Sequence, residues 1–83
     1  MFLFKVLGKS GAIQILLALS EEEKNYYQLT KIVGHSTQTL NRIRELQKLG
    51  LIKKGAKGKR GAIFYSLTQK GYEICSFIKK YEK

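Results

Sequence analysis

The sequence predicts an α+β fold, mostly α, with a three-helix core, a two-stranded β-hairpin and a C-terminal helix. Three observations carry that expectation. Apolar residues recur at helical spacing in four stretches. Two β-prone runs flank a loop of small residues and cations, Gly55-Ala-Lys-Gly-Lys-Arg-Gly61. The chain holds eight glycines and no proline, so glycine alone punctuates these pieces. At 83 residues there is room for one domain, over 1–83, and none for a separate ligand-binding domain. An apolar fraction of 43% with 11% aromatics argues against disorder.

The first helix follows Ser10 and ends near Ser20, with Ile13, Leu16 and Leu17 inward and Ala12 and Leu19 on the flank. Ser20 to Glu23 matches a capping box, but Asn25-Tyr26-Tyr27 just after it reads as a short extended piece and favours a loop. A second helix runs from about Tyr27 to Val33, burying Leu29, Ile32 and Val33, and Gly34 breaks it. Ser36 is the expected N-cap of a third helix from Thr37 to Leu49, whose Leu40, Ile43, Leu46 and Leu49 form one stripe. Gly50 stands where a left-handed cap is wanted. A short helix, a turn around Gly34 and a longer helix make a helix-turn-helix over about 27–49. Leu51–Lys54 and Ala62–Leu67 are the strands of a hairpin over about 51–67. Thr68 then caps a last helix over about 68–81, carrying Tyr72, Ile74, Cys75, Ile78 and Tyr81.

Lys and Arg number 16 against 6 acids, a net charge of +10. Residues 1–30 are neutral in sum, whereas residues 31–70 hold ten Lys or Arg and a single acid, Glu45. Charge that only solubilises spreads more evenly, so a basic middle calls for a polyanionic partner. One cysteine, Cys75, excludes an internal disulfide, and His35 adds too little for a zinc ligand set, so no metal and no cofactor is expected. The chain has no aspartate, hence no Ser–His–Asp set, and no carboxylate pair in an apolar context; an enzyme is not expected. Gly8-Lys9-Ser10 imitates the tail of a phosphate-binding P-loop, but Leu3 stands where its first glycine belongs. The start resembles a signal peptide only superficially: Gln14 interrupts the apolar run and no small-residue cleavage site follows. Ile15 to Leu19 is far too short to span a bilayer, so a cytoplasmic protein without a membrane partner is expected.

Three stretches carry a family likeness. Thr39-Leu-Asn-Arg-Ile-Arg-Glu-Leu46, continued by Leu49-Gly-Leu-Ile52, is similar to a recognition helix running into a wing. Tyr65-Ser-Leu-Thr-Gln-Lys-Gly71 is similar to a wing-to-last-helix junction, and Leu7-Gly-Lys-Ser10 before Ile13 to Leu19 to an HxlR-type first helix. Over about residues 7–75 the chain thus resembles the winged helix-turn-helix transcription regulators of the prokaryotic MarR, ArsR and HxlR-like groups. It departs from them in lacking clustered cysteines or histidines, long helical arms, a tryptophan in helix one and an N-terminal cysteine. The resemblance implies the fold, with a two-stranded β-wing, and does not carry over a sensing chemistry.

With Leu40, Ile43 and Leu46 inward, the opposite face of the third helix presents Thr37, Gln38, Asn41, Arg42, Glu45 and Lys48, with Arg44 on its flank. Gln38 and Asn41 suit adenine and Arg42 guanine or a phosphate, with Lys48 on the same DNA-facing side of the helix. Ser36 and Thr37 suit phosphates at the helix start, as does His35 in the turn. Lys57, Lys59 and Arg60 sit on the wing tip, flanked by Lys53 and Lys54; five cations without an acid exceed what protection of a sheet edge needs. Such a wing lies on the backbone or dips into the minor groove, and Lys31 adds a phosphate clamp. Cys75 reads as a small buried hydrophobe. Phe2, Phe4, Ile74, Phe77, Ile78 and Tyr81 exceed what one small core buries and point to a homodimer with two-fold symmetry.

The expected function is sequence-specific binding of double-stranded DNA by a transcription regulator, its recognition helix in the major groove. Two alternatives stay open. A non-specific architectural DNA- or RNA-binding protein would discriminate weakly between duplexes. A protein-interaction winged helix in a transcription or replication assembly would bind no duplex even at low salt.

Overall fold

The computed structural model describes residues 5, 8–9, 11–57 and 62–81, with the backbone alone at Ala56, Lys57 and Tyr81. The described elements, in chain order, are α1 (Ala12–Glu21), β1 (Lys24–Asn25), α2 (Tyr26–Val33), α3 (Ser36–Lys48), β2 (Ile52–Lys57), β3 (Ile63–Leu67) and α4 (Gln69–Tyr81). The strands form one antiparallel sheet in the order β1-β3-β2. The mostly helical α+β fold is therefore present, with one strand more than the expected hairpin.

Helix α1 lies at the centre and touches α2, α3, α4 and β3. Its fully covered stripe is Ala12, Ile15, Leu16 and Leu19, at i, i+3, i+4 and i+7. Ile13 and Leu17, expected inward, are only half-buried. An unbroken apolar run such as Ile15 to Leu19 has no internal phase, so the neighbours decide which side is covered most. Completing the core are Leu29 from α2, Ile43 and Leu46 from α3, Leu51 and Ile52, Leu67 from β3 and Cys75 from α4. Burial pushes the Cys75 thiol above its usual pKa, partly offset by the charge of Lys79, and its Sγ donates to the Leu16 carbonyl at 3.3 Å.

The extended piece is Lys24–Asn25, paired with Tyr65 and Phe64; Tyr26 and Tyr27 already belong to α2. The switch is made by Asn25. Its side chain accepts from the Gln28 N–H at 2.8 Å, while Gln28 Oε1 accepts from the Asn25 N–H at 2.9 Å. The capping box thus lies at 25–28, not at 20–23. Asn25→Ala is expected to lower stability by about 1 kcal/mol, which shifts the melting temperature of a domain this size down by roughly 4–8 °C. Thermal unfolding followed by circular dichroism checks this. Ile32, expected inward, is exposed: α2 has two turns, and only Leu29 and Val33, four residues apart, face the core.

Gly34, at φ 89, ends α2, and α3 begins at Ser36, one residue earlier than expected. The cap is therefore His35, whose Nδ1 accepts from the Gln38 N–H at 3.3 Å. Thr39 is fully buried, its hydroxyl donating to the His35 carbonyl at 2.7 Å. The covered side of α3 is Thr39, Ile43 and Leu46, while Leu40 and Leu49 are half-buried. At the other end the Gly50 N–H donates to Gln47 and the Leu51 N–H to Leu46, both at 3.0 Å. That is a Schellman cap: Gly50 takes the left-handed conformation (φ 75) and brings buried Leu51 against buried Leu46.

Strand β2 continues three residues past Lys54. Lys54 faces Tyr65 but Lys57 faces Ile63, so β2 carries one extra residue, a bulge at Gly55-Ala56. Beyond β3, the Thr68 hydroxyl accepts from the Gly71 N–H at 3.1 Å, capping α4 as expected. It also donates to the Gly50 carbonyl, and the Thr68 N–H donates to Leu51 at 3.0 Å. The end of α3 and the start of α4 are thereby joined. No described helix is long and apolar enough to cross a membrane.

Candidate nucleic-acid interface

The burial of Thr39 sets the outward face of α3. Thr37, Asn41, Arg44 and Lys48, at i, i+4, i+7 and i+11, form its exposed stripe, with Ser36 exposed at the start. Gln38 is half-buried, its N–H taken by His35. Arg42, expected among the outward residues, is mostly covered and is paired with Glu45, which also accepts from Lys9. The stem of Arg42 runs past Gly11, at the entrance to α1. The structure thus brings Ser36, Thr37, Asn41 and Lys48 onto one surface, adds Arg44, and sets Arg42 aside in an ion pair.

The turn between α2 and α3 is braced from outside: Tyr26 Oη donates to the Ser36 carbonyl at 2.9 Å, fastening the first turn of α2 to the first residue of α3. Lys31 is exposed on α2, its ammonium 4.7 Å from the centre of the Tyr27 ring. Neither tyrosine was expected in this role, because aromatics beside a turn read as strand formers. Lys53 and Lys54 are exposed on β2, opposite Ser66 and Tyr65. Lys57 ends β2; its side chain, Lys59 and Arg60 lie outside the described residues. Between α2 and β3, Tyr26, Tyr27, Ile63 and Tyr65 line a shallow apolar hollow.

Of the residues expected at a dimer contact, Phe77 is exposed on α4, as is Tyr72 elsewhere on the same helix. Ile74 and Ile78 are half-buried against the chain's own core, so they serve the monomer as well. Phe2, Phe4 and the Tyr81 side chain lie outside the described residues. Among the described residues no group of three His, Cys, Asp or Glu is placed to hold a metal ion.

Comparison with known proteins gives concordant results. The model of a family described as HxlR-like helix-turn-helix matches residues 6–83. An uncharacterized HTH-type transcriptional regulator of Methanocaldococcus jannaschii is 36% identical, over the whole of this chain and 78% of its own length. Among solved structures, the reduced form of the transcriptional regulator YodB from B. subtilis superposes with a TM-score of 0.80 at 20% identity, covering 93% of this chain and 78% of that one. A mutant of Lactococcus lactis ZitR superposes with a TM-score of 0.79 at 19% identity over 88% of this chain. The chain spans 51% of the ZitR chain, about half its length. At these identities the two structures share the winged helix-turn-helix fold with this chain.

Proposed function

The chain belongs to the HxlR-like helix-turn-helix family, and from that premise we propose that it is a transcription regulator that binds double-stranded DNA, acting in the cytoplasm as a binding protein and not as an enzyme. The observation that carries the reading is the exposed stripe Thr37, Asn41, Arg44 and Lys48 on the second helix of a helix-turn-helix, flanked by cations of α2 and the wing. The first turns of such a helix enter the major groove, and in this reading Asn41 makes a bidentate contact to adenine while Arg44, one turn further on, contacts guanine. Ser36, Thr37, Lys31, Lys48, Lys53 and Lys54 are backbone contacts in this reading, and Lys57, Lys59 and Arg60 extend them along the wing. Arg42, held by Glu45, orients the helix in place of reading a base.

A homodimer completes the proposal. Phe77 and Tyr72 leave apolar surface on α4, the helix that leads away from the wing. Two recognition helices about 34 Å apart then meet a palindromic site.

Selection from random duplex DNA at near-physiological salt tests both parts. An enriched palindrome is expected; no enrichment overturns sequence-specific reading, and a single enriched half-site overturns the dimer. On the selected site, Asn41→Ala is expected to cost about 1–3 kcal/mol of discrimination at one base pair, roughly 5- to 150-fold, with little change on random duplex.

A further inference from the structure

Glu45 is the single acid among residues 31–70, and it stands on the recognition helix, where a negative charge opposes any polyanion. Its carboxylate accepts from two cations that come from different places. Lys9 reaches it from ahead of α1, and Arg42 from one turn back on α3. With Asn41, Arg44 and Lys48 these three residues line an open hollow of about 320 Å³ on the side of α3. Four cations and one carboxylate line this hollow, two of the cations paired with it, an arrangement that suits a phosphate group, with the anion supplied by the chain itself.

We propose that Glu45 is an intramolecular stand-in for a DNA phosphate: it occupies Lys9 and Arg42, and so withholds two cations from sequence-independent contact with duplex backbone. The proposal rests on the DNA-binding reading above and sets Lys9, while Glu45 holds it, beside the interface and not among its contacts. The two cations are held differently. Lys9 is a long side chain, 40% exposed, held at its ammonium by the Glu45 carboxylate. Arg42 is 13% exposed, and its stem also packs beside Gly11. Removing the negative charge therefore releases Lys9 first. The residues of the exposed stripe are not partners of Glu45 in any ion pair, so base reading and backbone attraction are set by different groups. A regulator gains from that separation, since competing non-specific sites vastly outnumber its own.

The test is binding of the full chain to a random-sequence duplex of about 25 base pairs across a salt series, read by fluorescence anisotropy. Glu45→Gln keeps the shape and a carbonyl acceptor for Arg42. Each freed cation is expected to steepen the log–log salt slope by roughly 0.9 and to tighten random-duplex binding roughly 5-fold at 0.15 M salt, giving 5- to 30-fold for one to two cations. Lys9→Gln alone is expected to leave the slope as it is; added to Glu45→Gln, it removes about 0.9 of the gain. Glu45→Asp, one methylene shorter, keeps the charge but does not span both cations, and its slope is expected about 0.9 steeper than wild type. It decides the question should the glutamine variant not fold, a point read by circular dichroism. An unchanged slope in a folded Glu45 variant overturns the proposal, as does a slope flattened by Lys9→Gln alone. Absence of wild-type binding to duplex at low salt overturns the DNA-binding reading itself, and is distinguishable because it needs no variant.

Discussion

Gly71→Ala is expected to cost about 3 kcal/mol or more and to lower the melting temperature by roughly 12–24 °C. In an ordinary helix the same change stabilises by about 1 kcal/mol, so the predicted sign is the reverse of the propensity rule. The reason is the packing of α4 against the end of the recognition helix. A Cβ at Gly71 would lie 2.1 Å from the Leu51 carbonyl oxygen and 3.1 Å from both the Leu51 carbonyl carbon and Leu67 Cδ2. Backbone cannot swing away as the end of a flexible side chain does. The Leu51 carbonyl already accepts from the Thr68 N–H, and the Leu51 side chain is fully buried beside Leu46. Relief thus requires α4 to lift from Leu51 and β3, opening the core around Cys75. Against a total stability of about 5–15 kcal/mol, that leaves a domain close to its threshold at growth temperatures. Thermal and urea unfolding of the variant check this; a melting temperature within a few degrees of wild type would show that the helix start accommodates a methyl group.

Gly71 also illustrates what was legible in the sequence. It belongs to Tyr65-Ser-Leu-Thr-Gln-Lys-Gly71, which marked the passage from wing to last helix, and Thr68 in the same stretch was recognisable as a cap. Features written in residues with one dominant role were readable this way: the breaks at Gly34 and Gly50, the two wing strands, the polar cap of α4. Features decided between distant segments were not. Strand β1 has two residues and exists because β3 offers it an edge, so no periodicity announces it. The bulge at Gly55-Ala56 carries β2 past a glycine that reads locally as the end of a strand.

The candidate site was legible up to one rotation of a helix. Apolar spacing favoured Leu40, Ile43 and Leu46 as the inward side of α3, which turns Arg42 outward. The position actually buried is Thr39, whose hydroxyl is satisfied by the His35 carbonyl within the helix itself. A polar residue with an internal partner enters the core without any hydrophobic signal, and the inward face moves by one residue. Asn41 and Lys48 stay outside under either phase, Arg44 gains an exposed place, and Arg42 rotates toward α1 and Glu45. The uneven charge of the chain was plain from composition, but only the fold shows that its one central acid sits between Lys9 and Arg42.

For each protomer engaged, raising salt from 50 to 200 mM is expected to weaken DNA binding by roughly 10³- to 10⁴-fold, the fall produced by six to eight neutralised phosphates, and a dimer compounds two such factors. The count rests on the cations of the proposed interface: Lys31, Arg44, Lys48, Lys53 and Lys54 are exposed on α2, α3 and β2, and Lys57, Lys59 and Arg60 follow along the wing. Replacing the last three together with glutamine is expected to flatten the log–log slope by about 2.7 for each protomer engaged and to cost roughly 100-fold per protomer at 0.15 M salt, equally for selected and random duplexes. Equal loss is the diagnostic part. Phosphates are alike along a duplex, so a backbone contact contributes the same to every sequence, whereas Asn41→Ala alters the ranking of sequences and leaves the slope nearly intact. An unchanged slope in the triple variant would remove the wing from the interface, and the remaining salt dependence would then belong to α2, α3 and β2. A loss confined to the selected site would instead place Arg60 or a neighbouring lysine at base edges in the minor groove, since only there does a wing cation sense sequence.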